Sequence, residues 1–188
     1  MRVLGIDYSL NGTGLSVYNG SHIVFKKVFT KIKKLFKQDK ENFILFPNDI
    51  VTVEQKIDWV VDTIISCTDY DFVCMEDHIG SYYNWMDGYG IIKYLLRRKN
   101  TPYLMISPTQ LKKYAGTGKA DKDKMSQLLK DEYGFDLDSI GKLANNIVDA
   151  TWLAIVGFEY YERFFNNKLN DLTKDRIKIL EFLHERGS

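Results

Sequence analysis

Cysteine and histidine are scarce in this sequence. The chain of 188 residues has two cysteines and three histidines, scattered along its length. Cys67 and Cys74 are isolated thiols, and no group of cysteines and histidines has the spacing of zinc ligands. The sequence thus argues against a zinc site, and two free thiols are typical of a reducing compartment. We expect a cytoplasmic protein.

Long apolar runs are missing as well. The longest, Trp152–Phe158, is seven residues long, whereas a helix that spans a bilayer needs about 20. The chain reaches Gly5 and Asp7 before any segment that a signal peptide would need. The sequence also lacks repeats, low-complexity tracts and linkers. We therefore expect one domain over residues 1–188, large enough to bury a core and without a membrane partner.

The chain has almost no net charge, but its charges are unevenly distributed. A net charge of +1 at pH 7 does not by itself indicate a polyanionic partner. Lys26–Lys40 contains seven lysines and one acidic residue, and Lys93–Lys130 contains ten basic and two acidic residues. The first cluster fits an ordinary solvated face equally well. The second lies beside the candidate chemistry described below, so it indicates a nucleic-acid surface.

The hydrophobic pattern predicts three strands at the start of the chain: Met1–Asp7, Leu15–Tyr18 and Ile23–Thr30. Asn19-Gly20 is a strong hairpin signal between the second and the third. The lysine-rich stretch that continues to Asp49 predicts a loop, with room for a short helix.

Helices and strands alternate in the rest of the chain. Thr52 and Gln55 have the spacing of a capping box, and an apolar stripe at helical period follows them as far as Ile65. The remaining predicted elements are a fourth strand at Phe72–Met75, a helix at Met86–Arg98, a fifth strand at Tyr103–Ile106, a helix at Lys122–Tyr133 and a final helix at Leu143–Phe165. This order predicts an α/β domain with a five-stranded mixed sheet and helices on both faces, which is compatible with the ribonuclease H-like fold.

Acidic residues follow two of the predicted strands. Asp7 ends the first strand and Glu76 follows the fourth. A right-handed crossover through the helix after Thr52 makes these strands parallel neighbours, so that their acids share one crevice. Asn146 and Asp149 are three residues apart, on one face of the last helix, and we expect that helix to direct them to the same place.

Clustered carboxylates repel one another unless a cation lies between them. Oxygen ligands suit a hard divalent ion, Mg²⁺ or Mn²⁺. The pattern therefore predicts a site for two such ions, of the kind that hydrolyses phosphodiester bonds. The alternative is that each acid is separately a cap or a surface group. Any one of these acids taken alone fits that alternative better.

Four segments, taken in order, resemble the RuvC family of Holliday junction resolvases. They are GIDYSLNGTGLSVY at the start, VCMED at the fourth strand, SPTQLKKYAGTGKADKDKM in the middle and NNIVDATWLA near the end. The first segment alone is also similar to a turn in actin-like ATPases and sugar kinases, but this chain has no second glycine-rich phosphate motif. AGTGKAD is not a P-loop, since Lys113 and Ala120 stand at two of its required positions.

The resemblance covers about Met1 to Phe158. The sequence is diverged and of modest size, and in this it resembles a phage or viral branch of the family, whose members would act in the host cell cytoplasm. It implies that Asp7, Glu76 and Asp149 are metal-binding catalytic acids. Asn146 stands where the family usually has aspartate or histidine. An amide offers one neutral oxygen in place of a charged carboxylate, so we expect weaker metal binding and weak or lost activity. A natural variant and a deliberate replacement both fit this departure.

The resemblance also implies residues that contact DNA. The lysines of the middle segment that match catalytic positions are Lys112 and Lys122, with Lys113 as the alternative to Lys112. The other implied DNA contacts are Lys119 and Lys124 in the same segment and Tyr82, Tyr83 and Trp85 in the loop after Glu76, although these aromatic side chains could instead pack in the core or in a dimer contact. The family dimerises through the helix that follows this loop.

The expected function is that of a crossover junction endodeoxyribonuclease. Such an enzyme acts in DNA recombination and repair as a homodimer, and it cuts four-way or other branched DNA symmetrically by metal-dependent hydrolysis. It needs two Mg²⁺ or Mn²⁺ ions per site and no small-molecule cofactor. The alternative is a junction-binding protein of the same fold whose cleavage is crippled by Asn146.

Overall fold

The computed structural model of the chain describes residues 1–77, 83–116, 118, 121–137, 144–168 and 171–187, and for residues 83–87, 122, 144 and 187 it describes only the backbone. The strands are β1 Val3–Asp7, β2 Gly14–Tyr18, β3 Ile23–Thr30, β4 Phe43–Leu45, β5 Phe72–Glu76 and β6 Tyr103–Ile106. The helices are α1 Lys33–Gln38, α2 Val53–Ser66, α3 Tyr83–Arg98, α4 Pro108–Ala115, α5 Lys122–Tyr133, α6 Ala144–Phe164 and α7 Lys174–Gly187.

The strands form one mixed sheet in the order β4-β3-β2-β1-β5-β6. β2 is antiparallel to both of its neighbours, whereas β1 pairs in parallel with β5, β5 with β6, and β3 with β4. Every strand except β2 therefore ends at the same side of the sheet, which we call the carboxyl edge. The parallel pairing predicted for the first and fourth strands is confirmed.

The sheet has six strands among the described residues, so the predicted count of five is wrong by one. The additional strand, β4, lies in the lysine-rich stretch that was predicted to be a loop. It pairs in parallel with the end of β3, where Val28 is opposite Phe43. Three residues are too few to show the alternation that marks a strand, so only the pairing reveals it. The short helix in this stretch is α1.

Most predicted helices lie within a few residues of their observed bounds. Thr52 caps α2 with a complete capping box, as predicted. Two helices were not predicted. One is α4, where Ser107 and Gln110 form a second capping box, and the other is α7, so the helix predicted as the final one is followed by another. α4 has only eight residues, too few for a helical period to stand out. α7 is as long as α2, and it depends on the surface on which it packs.

The core has two parts, one on each face of the sheet. Leu4 and Ile6 point to the face covered by α2 and α3, whereas Val3 points to the face covered by α4–α7. This alternation along β1 is the two-residue period of a strand that is buried on both sides. The prediction of helices on both faces is confirmed. In the part of the chain that the structure describes, no helix has the length and apolar character needed to cross a membrane.

A buried arginine anchors α7 to its neighbours. The Arg176 guanidinium lies 5.2 Å from the centre of the Tyr114 ring and 5.4 Å from that of Trp152. Its Nε donates to the Tyr114 carbonyl oxygen over 2.9 Å, and a terminal nitrogen lies 2.6 Å from the Glu132 carboxylate. Arg176 therefore ties α7 to α4, α5 and α6 with one side chain.

Candidate functional site

Two carboxylates stand side by side at the carboxyl edge. Asp7 is the last residue of β1 and Glu76 the last of β5, and the register pairs Ile6 with Met75 immediately before them. Adjacent strands are about 4.8 Å apart, so Asp7 and Glu76 extend this register as neighbours. Glu76 is 8% exposed and Asp7 is half-buried.

Strand alternation directs both carboxylates to the same face of the sheet. Asp7 is two residues after Gly5, and Glu76 is two residues after Cys74. Gly5 lies against Ala150 of α6, and Cys74 belongs to the core on the α6 side. Side chains two apart on a strand share a face, so the two acids point towards the face on which α6 packs.

Tyr89 of α3 is electrostatically coupled to both acids. Burial raises the pKa of Tyr89 well above its usual value, and the negative charges of Glu76 and then Asp7 raise it further. The Tyr89 ring packs edge-on against Tyr8, with the ring centres 4.9 Å apart. A phenol in this position stays protonated at physiological pH, so it adds no negative charge to the acidic crevice.

Two glycines allow α6 to approach the sheet at this edge. A Cβ atom on Gly5 would lie 1.9 Å from the carbonyl oxygen of Ala150, and one on Gly14 would lie 2.0 Å from the carbonyl oxygen of Asn146. Both distances are far below van der Waals contact, so only glycine fits. Since Gly14 is opposite Asp7 in the β1–β2 register, the first turns of α6 lie at the level of Asp7.

Asn146 joins α6 to the connection between β1 and β2. Its side-chain nitrogen Nδ2 donates a hydrogen bond to the carbonyl oxygen of Gly12. Asp149, three residues later on α6, is 8% exposed. The start of α6 therefore brings an amide that is engaged with the backbone and a largely buried carboxylate to the edge that carries Asp7 and Glu76.

The oxygen donors at this edge suit a hard divalent cation in their chemistry. Their side chains are not arranged as a complete coordination site, because among the described residues no three His, Cys, Asp or Glu side chains are grouped so that they could hold a metal ion. The convergence of Asp7, Glu76 and Asp149 on a metal thus stays a prediction. The structure supplies the backbone arrangement that it requires.

The structure describes some of the predicted lysines. Lys112 and Lys113 are exposed on α4, which begins directly after β6 at the carboxyl edge, and Lys124 is exposed on α5. Lys122 is the first residue of α5, but its side chain lies outside the described part of the chain, as does Lys119 altogether. Their roles towards DNA remain predictions.

The predicted aromatic contacts fall on side chains outside the described part of the structure. Tyr82 lies outside the described residues, and Tyr83 and Trp85 lie in the first turns of α3 with side chains that are not described. Their predicted contacts, with DNA bases, in the core or in a dimer, stay predictions. The prediction of a homodimer is likewise untested.

Three residues at the carboxyl edge lie outside the predicted set: Asn11, Lys31 and Lys56. The Lys56 ammonium donates to the Asn11 side-chain oxygen, and Lys31 lines the same pocket as Lys56. One signal could have found Lys56. Lys56 stands in the first turn of α2, where the helix dipole disfavours a positive charge. A lysine at that position therefore suggests a role other than stabilising the helix.

Comparisons with known proteins indicate the fold. No family model matches the sequence, and no curated protein matches it. Among solved structures, RuvC of Thermus thermophilus superposes with a TM-score of 0.60 at 17% identity, over 88% of this chain and 97% of that one. The chain has a RuvC-like fold.

Two further structures agree with this RuvC-like fold. T. thermophilus RuvC in complex with a Holliday junction substrate matches with a TM-score of 0.61 at 14% identity, over 88% of this chain and 96% of that one. A yeast mitochondrial Holliday junction resolvase matches with a TM-score of 0.51 at 14% identity, over 81% of this chain and 75% of that one. The predicted ribonuclease H-like architecture is thereby confirmed.

Proposed function

We propose that this chain is a structure-selective endonuclease that binds four-way or branched DNA and hydrolyses its phosphodiester bonds at the carboxyl edge. The observation that carries the proposal is the position of Asp7 and Glu76. They end neighbouring parallel strands of a RuvC-like sheet and face the start of α6. The solved structures with this fold include resolvases of Holliday junctions, one of them with its substrate.

The oxygens of Asp7, Glu76, Asp149 and Asn146 would hold the divalent ions. Mg²⁺ or Mn²⁺ bound there supplies a nucleophile at neutral pH and charge stabilisation for the leaving oxygen. The protein's own contribution begins with orientation, since buried strand ends hold the carboxylates of Asp7 and Glu76 in place. The exposed ammonium groups of Lys112 and Lys113 on α4 then bind the phosphate backbone and balance its charge.

A homodimer completes the proposal. Two copies related by a two-fold axis would set two carboxyl edges against two symmetric strands of a four-way junction. Paired cuts in strands of like polarity follow from that symmetry. We further propose that the protein acts in the cytoplasm, where its two free thiols stay reduced.

A second candidate function is junction binding without cleavage. Asn146 can offer a metal only its neutral amide oxygen, since its Nδ2 donates to the Gly12 carbonyl. Among the described residues no three His, Cys, Asp or Glu side chains are grouped so that they could hold a metal ion. Both observations favour weak metal binding, while neither affects the basic surface on α4.

The test is cleavage of a labelled synthetic four-way junction in Mg²⁺ or Mn²⁺, with a duplex of the same sequence for comparison. We expect divalent-dependent nicking of the junction only. Glu76→Gln keeps the side chain's shape and should abolish nicking while junction binding stays nearly intact. Asp71→Asn, at the opposite end of β5, is the matched control and should cut like the unchanged chain.

The outcomes separate the two functions. Equal binding of junction and duplex by the unchanged chain would refute both of them. Tight junction binding with no nicking in either ion would establish the second. Full nicking by Glu76→Gln would refute the proposal that the carboxylates at the carboxyl edge carry out the reaction.

A further inference from the structure

A pocket lined by two lysines lies at the carboxyl edge, on the side of the sheet that α2 covers. Its volume is about 400 Å³, and it lies between the residues that follow β3, those that follow β4 and the first turn of α2. Lys31 comes directly after β3, and Lys56 lies on the first turn of α2. We call this pocket the lysine pocket.

The lysine pocket concentrates positive charge. Lys31 and Lys56 are the only charged side chains among the described residues that line it, and none of those residues is acidic. Burial and the neighbouring Lys31 ammonium lower the pKa of Lys56 to about 8. Two ammonium groups at close range repel each other, and an anion between them would relieve that repulsion.

The groups around Lys56 orient it without neutralising it. Its Nζ donates to the side-chain oxygen of Asn11 and lies 5.0 Å from the centre of the Phe46 ring. Asn11 and Phe46 are both uncharged, so neither brings a negative charge that would neutralise the ammonium. The positive end of α2, capped at Thr52, also borders the pocket and adds to its preference for an anion.

The lysine pocket is connected to the candidate site through the chain between β1 and β2. Asn11 accepts the hydrogen bond from Lys56, and the next residue, Gly12, accepts one from Asn146 of α6. In the sheet, β3 is two strands from β1, a separation of about 10 Å. Phe29, two residues before Lys31, packs on the α2 side of the sheet, whereas Asp7 and Glu76 point to the α6 side. An anion bound by Lys31 and Lys56 would therefore lie at the same edge of the sheet as the carboxylates but on its other side, out of contact with them.

We propose that Lys31 and Lys56 bind a backbone phosphate of the DNA, a short distance along the strand from the bond that is cut. The assignment of DNA as the source of this phosphate rests on the proposed function. The pocket fits a phosphate diester because it combines two positive groups with apolar lining residues that include Ile50 and Val51, against which a sugar would pack. Binding there would fix the register of the strand relative to Asp7 and Glu76.

The first experiment tests the pocket independently of DNA. Lysine side chains are followed by NMR through a pH titration, with the Lys56 resonance assigned from its loss in Lys56→Gln. Inorganic phosphate should raise the pKa of Lys56 from its starting value of about 8, because a bound anion favours the charged ammonium. The exposed Lys178 on α7 is the internal control and should not shift. Equal responses of Lys56 and Lys178 would overturn the proposal.

The second experiment tests DNA as the source. Junction affinity is measured over a salt series for Lys31→Gln/Lys56→Gln and for a control with the same change in charge, Lys174→Gln/Lys178→Gln on α7. Losing one phosphate contact should make the slope of log affinity against log salt shallower by about 0.9. We expect that change in the pocket variant only.

The two experiments distinguish the proposal from the function on which it rests. A response of Lys56 to phosphate, together with failure of the unchanged chain to prefer a junction over a duplex, would refute the proposed function and leave an anion site. A junction preference with identical salt slopes in both double variants would refute the DNA contact. Unfolding curves of the double variants verify that each is folded when its slope is measured.

Discussion

Replacing Asn146 with aspartate changes one functional group at the point where α6 meets the connection between β1 and β2. The side-chain Nδ2 of Asn146 donates to the carbonyl oxygen of Gly12. An ionised aspartate has no donor, so in Asn146→Asp two oxygens would face each other. Gly12 is buried, and leaving its carbonyl without this partner costs about 1–3 kcal/mol of unfolding free energy. Without divalent ions, Asn146→Asp should be less stable than the unchanged chain by that amount.

Divalent ions should offset this difference. Asn146→Asp adds a carboxylate beside Asp7 and Glu76, and so raises the affinity of the edge for Mg²⁺ or Mn²⁺. An ion at 100 times its dissociation constant stabilises the folded state by about 2.7 kcal/mol. Asn146→Asp should therefore gain more stability from Mg²⁺ than the unchanged chain does, and it should nick a four-way junction strongly where the unchanged chain nicks it weakly.

The assay is urea unfolding with a chelator and with saturating Mg²⁺, followed by junction cleavage under the second condition. Asn145→Asp is the matched control, because it makes the same charge change one residue earlier on α6 at an exposed position. It should show neither the loss of stability nor the gain from Mg²⁺. Undiminished stability of Asn146→Asp in chelator would refute the role given to the hydrogen bond. Robust paired nicking by the unchanged chain would refute the claim that an amide there is a poor ligand.

Three further predictions follow from the packing and the charges. Gly14→Ala would place a Cβ atom 2.0 Å from a carbonyl oxygen of α6, so it should lower the unfolding free energy by about 1–3 kcal/mol or more. Gly90→Ala, with nothing within 4 Å of the added Cβ, should not lower it, and equal effects in chemical unfolding would contradict the close approach. Arg176→Ala should cost about 3 kcal/mol and Lys130→Ala, in an exposed ion pair, less than about 1 kcal/mol, and a small loss for both would contradict the anchoring of α7. The pKa of Lys56 is about 8, so the unchanged chain should lose junction affinity as the pH rises through that value. Lys56→Arg stays charged and should keep its affinity. Parallel pH profiles of the two proteins would contradict this prediction.

The lowered pKa of Lys56 also affects the free energy of unfolding. A salt bridge to a lysine stabilises the folded state, whereas the charge on Lys56 destabilises it. The pKa of Lys56 lies at about 8 in the folded chain, below the ordinary lysine value of 10.5. A charged Lys56 therefore destabilises the folded state at neutral pH, and the penalty disappears as the pH rises from about 8 to 10.5. Lys56→Met should be more stable than the unchanged chain at neutral pH and equal to it above that range.

Much of the fold could be predicted because its signals are local. The short apolar runs of β1 and β5, the capping box at Thr52 and the helical stripe of α2 each depend on residues within a few positions of one another. By contrast, β4 exists because β3 offers it a partner. α7 depends on the same kind of distant contact, because Arg176 inserts between side chains of α4 and α6. Such contacts join residues far apart in sequence, where no short pattern records them.

The candidate site divides in the same way. Asp7 and Glu76 stand out in the sequence because a charge at the end of an apolar strand is costly unless it has a partner. Lys31 does not stand out, since it is one lysine among seven in its stretch. Only the tertiary structure brings it to the pocket that Lys56 also lines. Lys56 lies in the first turn of α2, a helix that begins 22 residues after Lys31.

The sequence by itself determined the kinds of element, the two strands that end in acids and the resemblance to resolvases, because these depend on residue types at short spacing. Only the tertiary structure decided how α6 crosses the sheet at Gly5 and Gly14, that Asn146 is held by a backbone carbonyl, and that two distant lysines share a pocket. The physical reason is that a strand or a helix is specified by its own side chains, whereas a site is specified by which elements meet.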